Sequence, residues 1–170
     1  MEIKYLISLL SVVLVLGCVN NTGYVTSQAA GPVVESGDHV FVDYTGTLED
    51  GTVFDSSQGR APLEFTAGAG QMIKGFDDAV IGMKEGEEKT VTIQPEDAYG
   101  FSNPANVFDV PVENIPNGTQ AGNTLFTGNG QRVRVVEINN ETAVIDANHF
   151  LAGKVLIFRI KIVKIEKQGK

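Results

Sequence analysis

From Val155 to Ile165 the chain alternates for eleven residues, with Leu156, Phe158, Ile160 and Ile162 on one face. A period of two is a strand signal, because successive side chains on a β-strand point to opposite sides. A long strand with one apolar face is stable only inside a sheet, so a helical bundle is excluded. Other segments agree. Asp38 to Thr45 is rich in β-branched and aromatic residues, with Val40, Val42 and Tyr44 sharing a face. Leu48-Glu-Asp-Gly51 is a hairpin signal, since Asp-Gly readily supplies positive φ. Val53-Phe54-Asp55 then resumes the strand, and Lys89 to Ile93 is another. Only Ile73 to Met83 has helical spacing, with Phe76, Ala79, Val80 and Met83 on one side. The predicted class is α+β and mostly β: antiparallel strands curled around one short helix.

Residues 105–151 have the pattern of an insertion. The stretch contains Pro111 and Pro116, then Asn117-Gly118 and Gly128-Asn129-Gly130 turns. Two strands follow, Arg132 to Ile138 and Thr142 to Asp146, joined by an Asn139-Asn140 turn. The expected division is therefore a main domain of 34–104 and 152–170 and a small inserted β domain of 105–151. No tandem repeat is visible.

The amino terminus carries an address. Leu6 to Leu16 is an apolar run of eleven residues, which suits a signal-peptide core and is short for a bilayer span. Val15-Leu16-Gly17-Cys18 resembles a lipobox, in which the chain is cut before a cysteine that carries lipid. The expectation is a signal peptide over 1–17, lipid on Cys18 and a flexible tether over 18–33 rich in Asn, Thr, Gly and Ser. An ordinary signal peptide or an uncut anchor are the alternatives. All three place the folded part outside the cytoplasmic membrane, tethered to it in the lipid and anchor readings. Cys18 is the only cysteine, so no internal disulfide can form. The 153 residues after position 17 can bury about 68–70% of their unfolded surface and need no disulfide or metal to fold.

Charge narrows the partners. The chain has 21 acidic and 13 basic residues, a net −8, and Asp38 to Ser102 alone holds 13 acids against 4 bases. Such a surface repels phosphate backbones, so no nucleic-acid partner is expected. His39 and His149 are far apart and no paired-ligand spacing occurs, so no metal and no cofactor are expected. No nucleophile elbow or phosphate loop is present. What remains is a set of apolar residues suited to one hollow: Tyr44, Phe54, Phe65, Phe76, Tyr99 and Phe158, with Leu63, Met72 and Ile73. Asp55, directly after Phe54, adds a polar group to that apolar set.

Four blocks carry a resemblance. Val42-Asp-Tyr-Thr-Gly-Thr-Leu-Glu-Asp-Gly-Thr-Val-Phe-Asp-Ser-Ser57 resembles the opening block of FKBP-type peptidyl-prolyl isomerases. Gly68-Ala-Gly-Gln-Met-Ile-Lys-Gly-Phe-Asp-Asp-Ala-Val80 is similar to their loop and single helix, and Pro95-Glu-Asp-Ala-Tyr-Gly100 to the strand end that bears the pocket tyrosine. The insertion and Asn148-His-Phe-Leu-Ala-Gly153 resemble the SlyD-like branch, which has an extra insert-in-flap domain. Together the likeness runs from about Val34 to Lys167.

The resemblance implies an isomerase of X-Pro bonds in which Tyr44, Phe54, Leu63, Phe65, Met72, Phe76 and Phe158 bind the substrate. Ile73 would supply a backbone N–H to the substrate carbonyl, Tyr99 its hydroxyl, and Asp55 would polarise or orient groups near the carbonyl. Phe76 stands at the pocket floor, where many relatives have tryptophan, and Leu63 where an aromatic is common. The insertion would grip unfolded chains through Phe108, Val110, Ile115, Leu125 and Phe126, with Val107, Val133, Val135 and Ile145 as further candidates for that surface or for its own core. The expected partners are proline-containing unfolded or partly folded polypeptides, bound by a monomer. A non-catalytic peptide-binding holdase on the same fold is the competing reading.

Overall fold

The computed structural model describes residues 31–169. The apolar run Leu6–Leu16, Cys18 and nearly all of the expected tether lie outside them. Among the described residues no helix is long and apolar enough to cross a membrane.

Strand β1 (His39–Leu48) is the axis of the main sheet. It pairs antiparallel along its whole length with the long alternating strand, β9 (Leu156–Glu166), from His39 opposite Glu166 to Leu48 opposite Leu156. Its other edge is shared by two short strands: β2 (Val53–Ser56) along Thr45–Thr47 and β3 (Leu63–Thr66) along His39–Val42. Strand β4 (Glu88–Ile93) flanks β9 on the far side. Between Phe41 and Val42 the β1–β9 register jumps, with Phe41 opposite Lys164 and Val42 opposite Ile162. This bulge resets the alternation. Leu156, Phe158, Ile160 and Ile162 are buried as expected, but Val163 and Lys164 both face solvent before Ile165 turns in.

The helix α1 (Lys74–Val80) is shorter than the sequence spacing predicts. Ile73 is its N-terminal boundary, and at the other end Ile81 is extended and Gly82 takes φ +83°. That turn returns Met83 to the core without continuing the helix. Gly75 lets the helix lie close on β4, because a Cβ there would stand 2.4 Å from Cγ2 of Ile93. Phe76, Ala79 and Val80 face the sheet and join Val40, Val42, Phe65, Leu156, Ile160 and Ile162 in one core. The acidic pair Asp77-Asp78 reads from sequence as solvated surface, and for Asp77 this is corrected. Asp77 is buried and its carboxylate accepts the N–H groups of Gly68 (2.7 Å) and Gly70 (2.9 Å), fixing the loop before the helix. Asp78 does face solvent, paired with Lys74.

A second antiparallel sheet has the order β5 (Val107–Pro111), β8 (Thr142–Asp146), β7 (Arg132–Ile138), β6 (Thr124–Phe126). It has its own small core of Val133, Val135, Ala143 and Ile145. Where the chain leaves and re-enters the main sheet, Asn148 acts as a clasp. Its Oδ1 accepts the N–H of Asn103 (2.9 Å) and Nδ2–H of Asn106 (3.1 Å), while its Nδ2 donates to the Asn103 carbonyl (3.1 Å).

Candidate active site

A cavity of about 600 Å³ is lined by residues of β1, β2, β3, α1 and β9 and of the loops between them. Its floor is a cluster of rings packed edge to face. Phe76 of α1 and Phe158 of β9 have centroids 5.1 Å apart at 81°, Phe54 of β2 meets Phe158 at 5.4 Å and 85°, and Tyr44 of β1 meets Phe76 at 5.9 Å and 85°. Aromatic quadrupoles favour these perpendicular contacts. Gly46 makes the cluster possible. It lies opposite Phe158 in the ladder, and a Cβ on it would meet Phe54 Cζ at 2.6 Å and Phe158 Cε1 at 2.9 Å. Met72 and Ile73 close one wall from the loop before α1, Leu63 enters from the start of β3, and Tyr99 follows a short 3₁₀ turn at Pro95–Asp97.

The polar groups gather at the rim around Asp55. The Tyr44 hydroxyl donates to Asp55 Oδ2 at 2.5 Å, and Nη2 of Arg60 donates to Oδ1 at 2.7 Å and also to the Ser56 carbonyl. The Tyr44 bond draws the Asp55 carboxyl below its ordinary range, against a partial burial that pushes it up, and Arg60 adds to the lowering. Burial and the Asp55 partner together push the Tyr44 hydroxyl up to about 12. Asp55 also accepts the N–H of Ser56 at 2.8 Å, so it holds its own turn as well as facing the cavity. Tyr99 is stacked flat on His149, centroids 3.9 Å apart at 8°. Burial, then the charge of Asp55, raises the Tyr99 hydroxyl. Burial, then Arg132, holds His149 below the usual imidazole range. The backbone N–H of Ile73 has no acceptor among the described residues.

Nine residues chosen from sequence thus line one cavity: Tyr44, Phe54, Asp55, Leu63, Met72, Ile73, Phe76, Tyr99 and Phe158. Phe65 does not. It is buried one layer below, 5.9 Å from the Phe76 ring, because its position on β3 points it into the core. Gln71, His149, Phe150 and Leu151 complete the lining and were not expected there. His149 reads from sequence as a hinge or core residue; it is a pocket wall. The signal for it was its place at the return from the insertion, which the topology brings beside Tyr99. Arg60 was also missed, since the loop between β2 and β3 has no period to place it.

The expected grip of the insertion is corrected in part. Phe108 and Phe126 stand exposed on the two edge strands, 47% and 71% accessible. Val107 is exposed too. Val110, Ile115 and Leu125 instead pack on the inserted core, and Val133, Val135 and Ile145 are that core. On β6 the pleat decides this, Leu125 facing in while Phe126 faces out.

The cavity offers an apolar floor and a few oriented dipoles, with no serine, cysteine or lysine in its described lining. Among the described residues no group of three or more His, Cys, Asp or Glu side chains could hold a metal ion. Comparison with known proteins bears on the same region. The family model described as FKBP-type peptidyl-prolyl cis-trans isomerase matches residues 31–163. The short-type peptidyl-prolyl cis-trans isomerase of Methanocaldococcus jannaschii is 35% identical over 151 residues, covering 79% of this chain and 95% of its own. The FKBP-type isomerase SlyD of Treponema pallidum is 33% identical over 133 residues, 75% of this chain and 76% of its own. FK506-binding protein 2 of Yarrowia lipolytica is more alike, at 54%, but over 65 residues, 38% of this chain and 45% of its own. With a match that begins before β1 and ends inside β9, the chain belongs to the FKBP-type peptidyl-prolyl cis-trans isomerases.

Proposed function

We propose that the cavity isomerises X-Pro bonds of unfolded or partly folded extracytoplasmic proteins, and that the inserted sheet holds those chains beside it. The observation that carries the reading is a ring-lined hollow with Asp55, Tyr99 and the free Ile73 N–H at its rim. Rotation about an amide costs about 18–20 kcal/mol because resonance must be broken. The twisted transition state is less delocalised than either planar isomer, so an apolar cradle favours it while oriented dipoles hold the chain. Ile73 donates its N–H to the substrate carbonyl and Tyr99 its hydroxyl. Asp55 acts through Tyr44, fixing the ring and hydroxyl that face the substrate. No covalent step or proton transfer is needed.

Location follows from the apolar run and Cys18, through which the protein is tethered to the membrane by lipid or anchor and works as a monomer on its outer side. The test is turnover of a short proline peptide and of a protein whose refolding is proline-limited. Asp55→Ala and Tyr99→Phe should each lower kcat/KM several-fold and leave residual activity. Complete loss in a folded variant would contradict the non-covalent scheme, and no activity in the unaltered chain would leave the holdase reading.

A further inference from the structure

A second hollow, about 640 Å³, lies where the inserted sheet returns to the main one. It shares His149 and Phe150 with the aromatic cavity, so the two meet at that pair of rings. Three cations line it: Arg132 and Arg134 from β7, and Lys154 just after the return. None has a carboxylate within ion-pair distance among the described residues, whereas Arg60, Lys74, Arg159, Lys164 and Lys167 each have one; Lys84, Lys89 and Lys161 also lack one but do not line this hollow. In a chain with 21 acids to 13 bases, this is an unusual gathering of unneutralised charge. The one acid of the lining, Asp146, stands opposite Arg134 in the ladder without reaching ion-pair distance, and its Oδ1 accepts the N–H (2.9 Å) and Nδ2–H (2.8 Å) of Asn148. Arg132 lies over the Phe150 ring at 4.9 Å, which places a guanidinium at the junction of the two hollows.

We infer that this hollow extends the prolyl site and reads an acidic side chain of the substrate, an Asp or Glu a few residues from the isomerised proline. The reading rests on the isomerase function proposed above. An extended polypeptide seated at the aromatic floor and running past His149 and Phe150, which both hollows share, comes onto these cations. A guanidinium pairs with a carboxylate through two parallel hydrogen bonds, giving geometric as well as charge selection. The net charge of −8 repels the same residue over much of the surface, which favours the register that lays it in this hollow.

The experiment uses single-proline peptides about eight residues long, enough to cross both hollows at ~3.4 Å per residue. Each flanking position carries in turn Glu or Gln, and kcat/KM is measured for both. At one position the Glu peptide should be turned over about fivefold faster, and the advantage should vanish in ~0.5 M salt. It should also vanish in the triple variant Arg132→Gln, Arg134→Gln, Lys154→Gln, where the ratio within the variant cancels any general loss. A single exposed change, Arg134→Glu, should shift the preference toward a Lys peptide and guards against misfolding of the triple variant. Turnover of every peptide with a Glu-to-Gln ratio of one overturns the extension and leaves the isomerase reading intact. A preference that persists in the triple variant overturns it as well. No turnover of any peptide overturns both.

Discussion

At Gly46 a single hydrogen atom decides whether the site exists. A methyl group there would overlap two rings of the floor, and neither ring can retreat, because Phe158 is buried and Phe54 rests on it. Overpacking of this kind costs about 1–3 kcal/mol. Gly46→Ala should therefore lower both thermal stability and kcat/KM, the latter at least ~10-fold; an unchanged kcat/KM would show that the ring cluster is not the catalytic floor. The titration of the rim is also a residue-scale property. The Asp55 carboxyl is depressed, so its contribution is present above the ordinary carboxylate range and is lost only as pH falls through its lowered value. Asp55 thus causes no change in activity near neutrality. His149 is depressed below 6.5, so the neutral ring stacked on Tyr99 persists somewhat below that pH and is lost only as pH falls through its lowered value. The pH profile of kcat/KM should be flat from neutrality upward and decline only below ~6.5, and His149→Phe should remove the decline. A decline that survives the substitution assigns it elsewhere.

At the scale of elements, the two edge strands of the inserted sheet leave backbone groups unpaired beside Phe108 and Phe126. An unfolded chain can add to such an edge and rest on the exposed ring. Replacing both phenylalanines by serine should spare turnover of a short peptide and slow catalysis of proline-limited refolding several-fold. Equal effects on both substrates would count against a holding role for the insertion. How much of these elements the sequence discloses depends on their length. β1, β7, β8 and β9 have at least five residues of alternation and stand within a few residues of where the pattern puts them. β3 and β6 have four and three residues, too few for a period to emerge, and β5 ends in proline. The ring set of the cavity was legible because aromatic residues cluster in the matching blocks. Arg60, His149 and Phe150 were not, since each reaches the site from a loop whose path only the tertiary structure fixes.

For the molecule as a whole, two separate apolar clusters imply two levels of stability. The main sheet closes through β1 and β9, which are more than a hundred residues apart, and carries the larger core. The inserted sheet has four buried core residues and is held at its base by the Asn148 clasp. Amide hydrogens in β7 and β8 should exchange with solvent markedly faster than those in β1 and β9, in a cooperative opening of lower free energy. Identical protection in both sheets would mean that the two cores unfold as one. The β1–β9 ladder has a further consequence. His39 and Glu166 are partners at one end, while Gly46 and Phe158, which shape the cavity, are partners seven residues along β1, about 23 Å away at ~3.3 Å per residue. The described chain therefore enters β1 and leaves β9 at the end of the ladder remote from the pair that shapes the cavity, so a dye placed on Glu166 should leave the turnover of long clients unchanged.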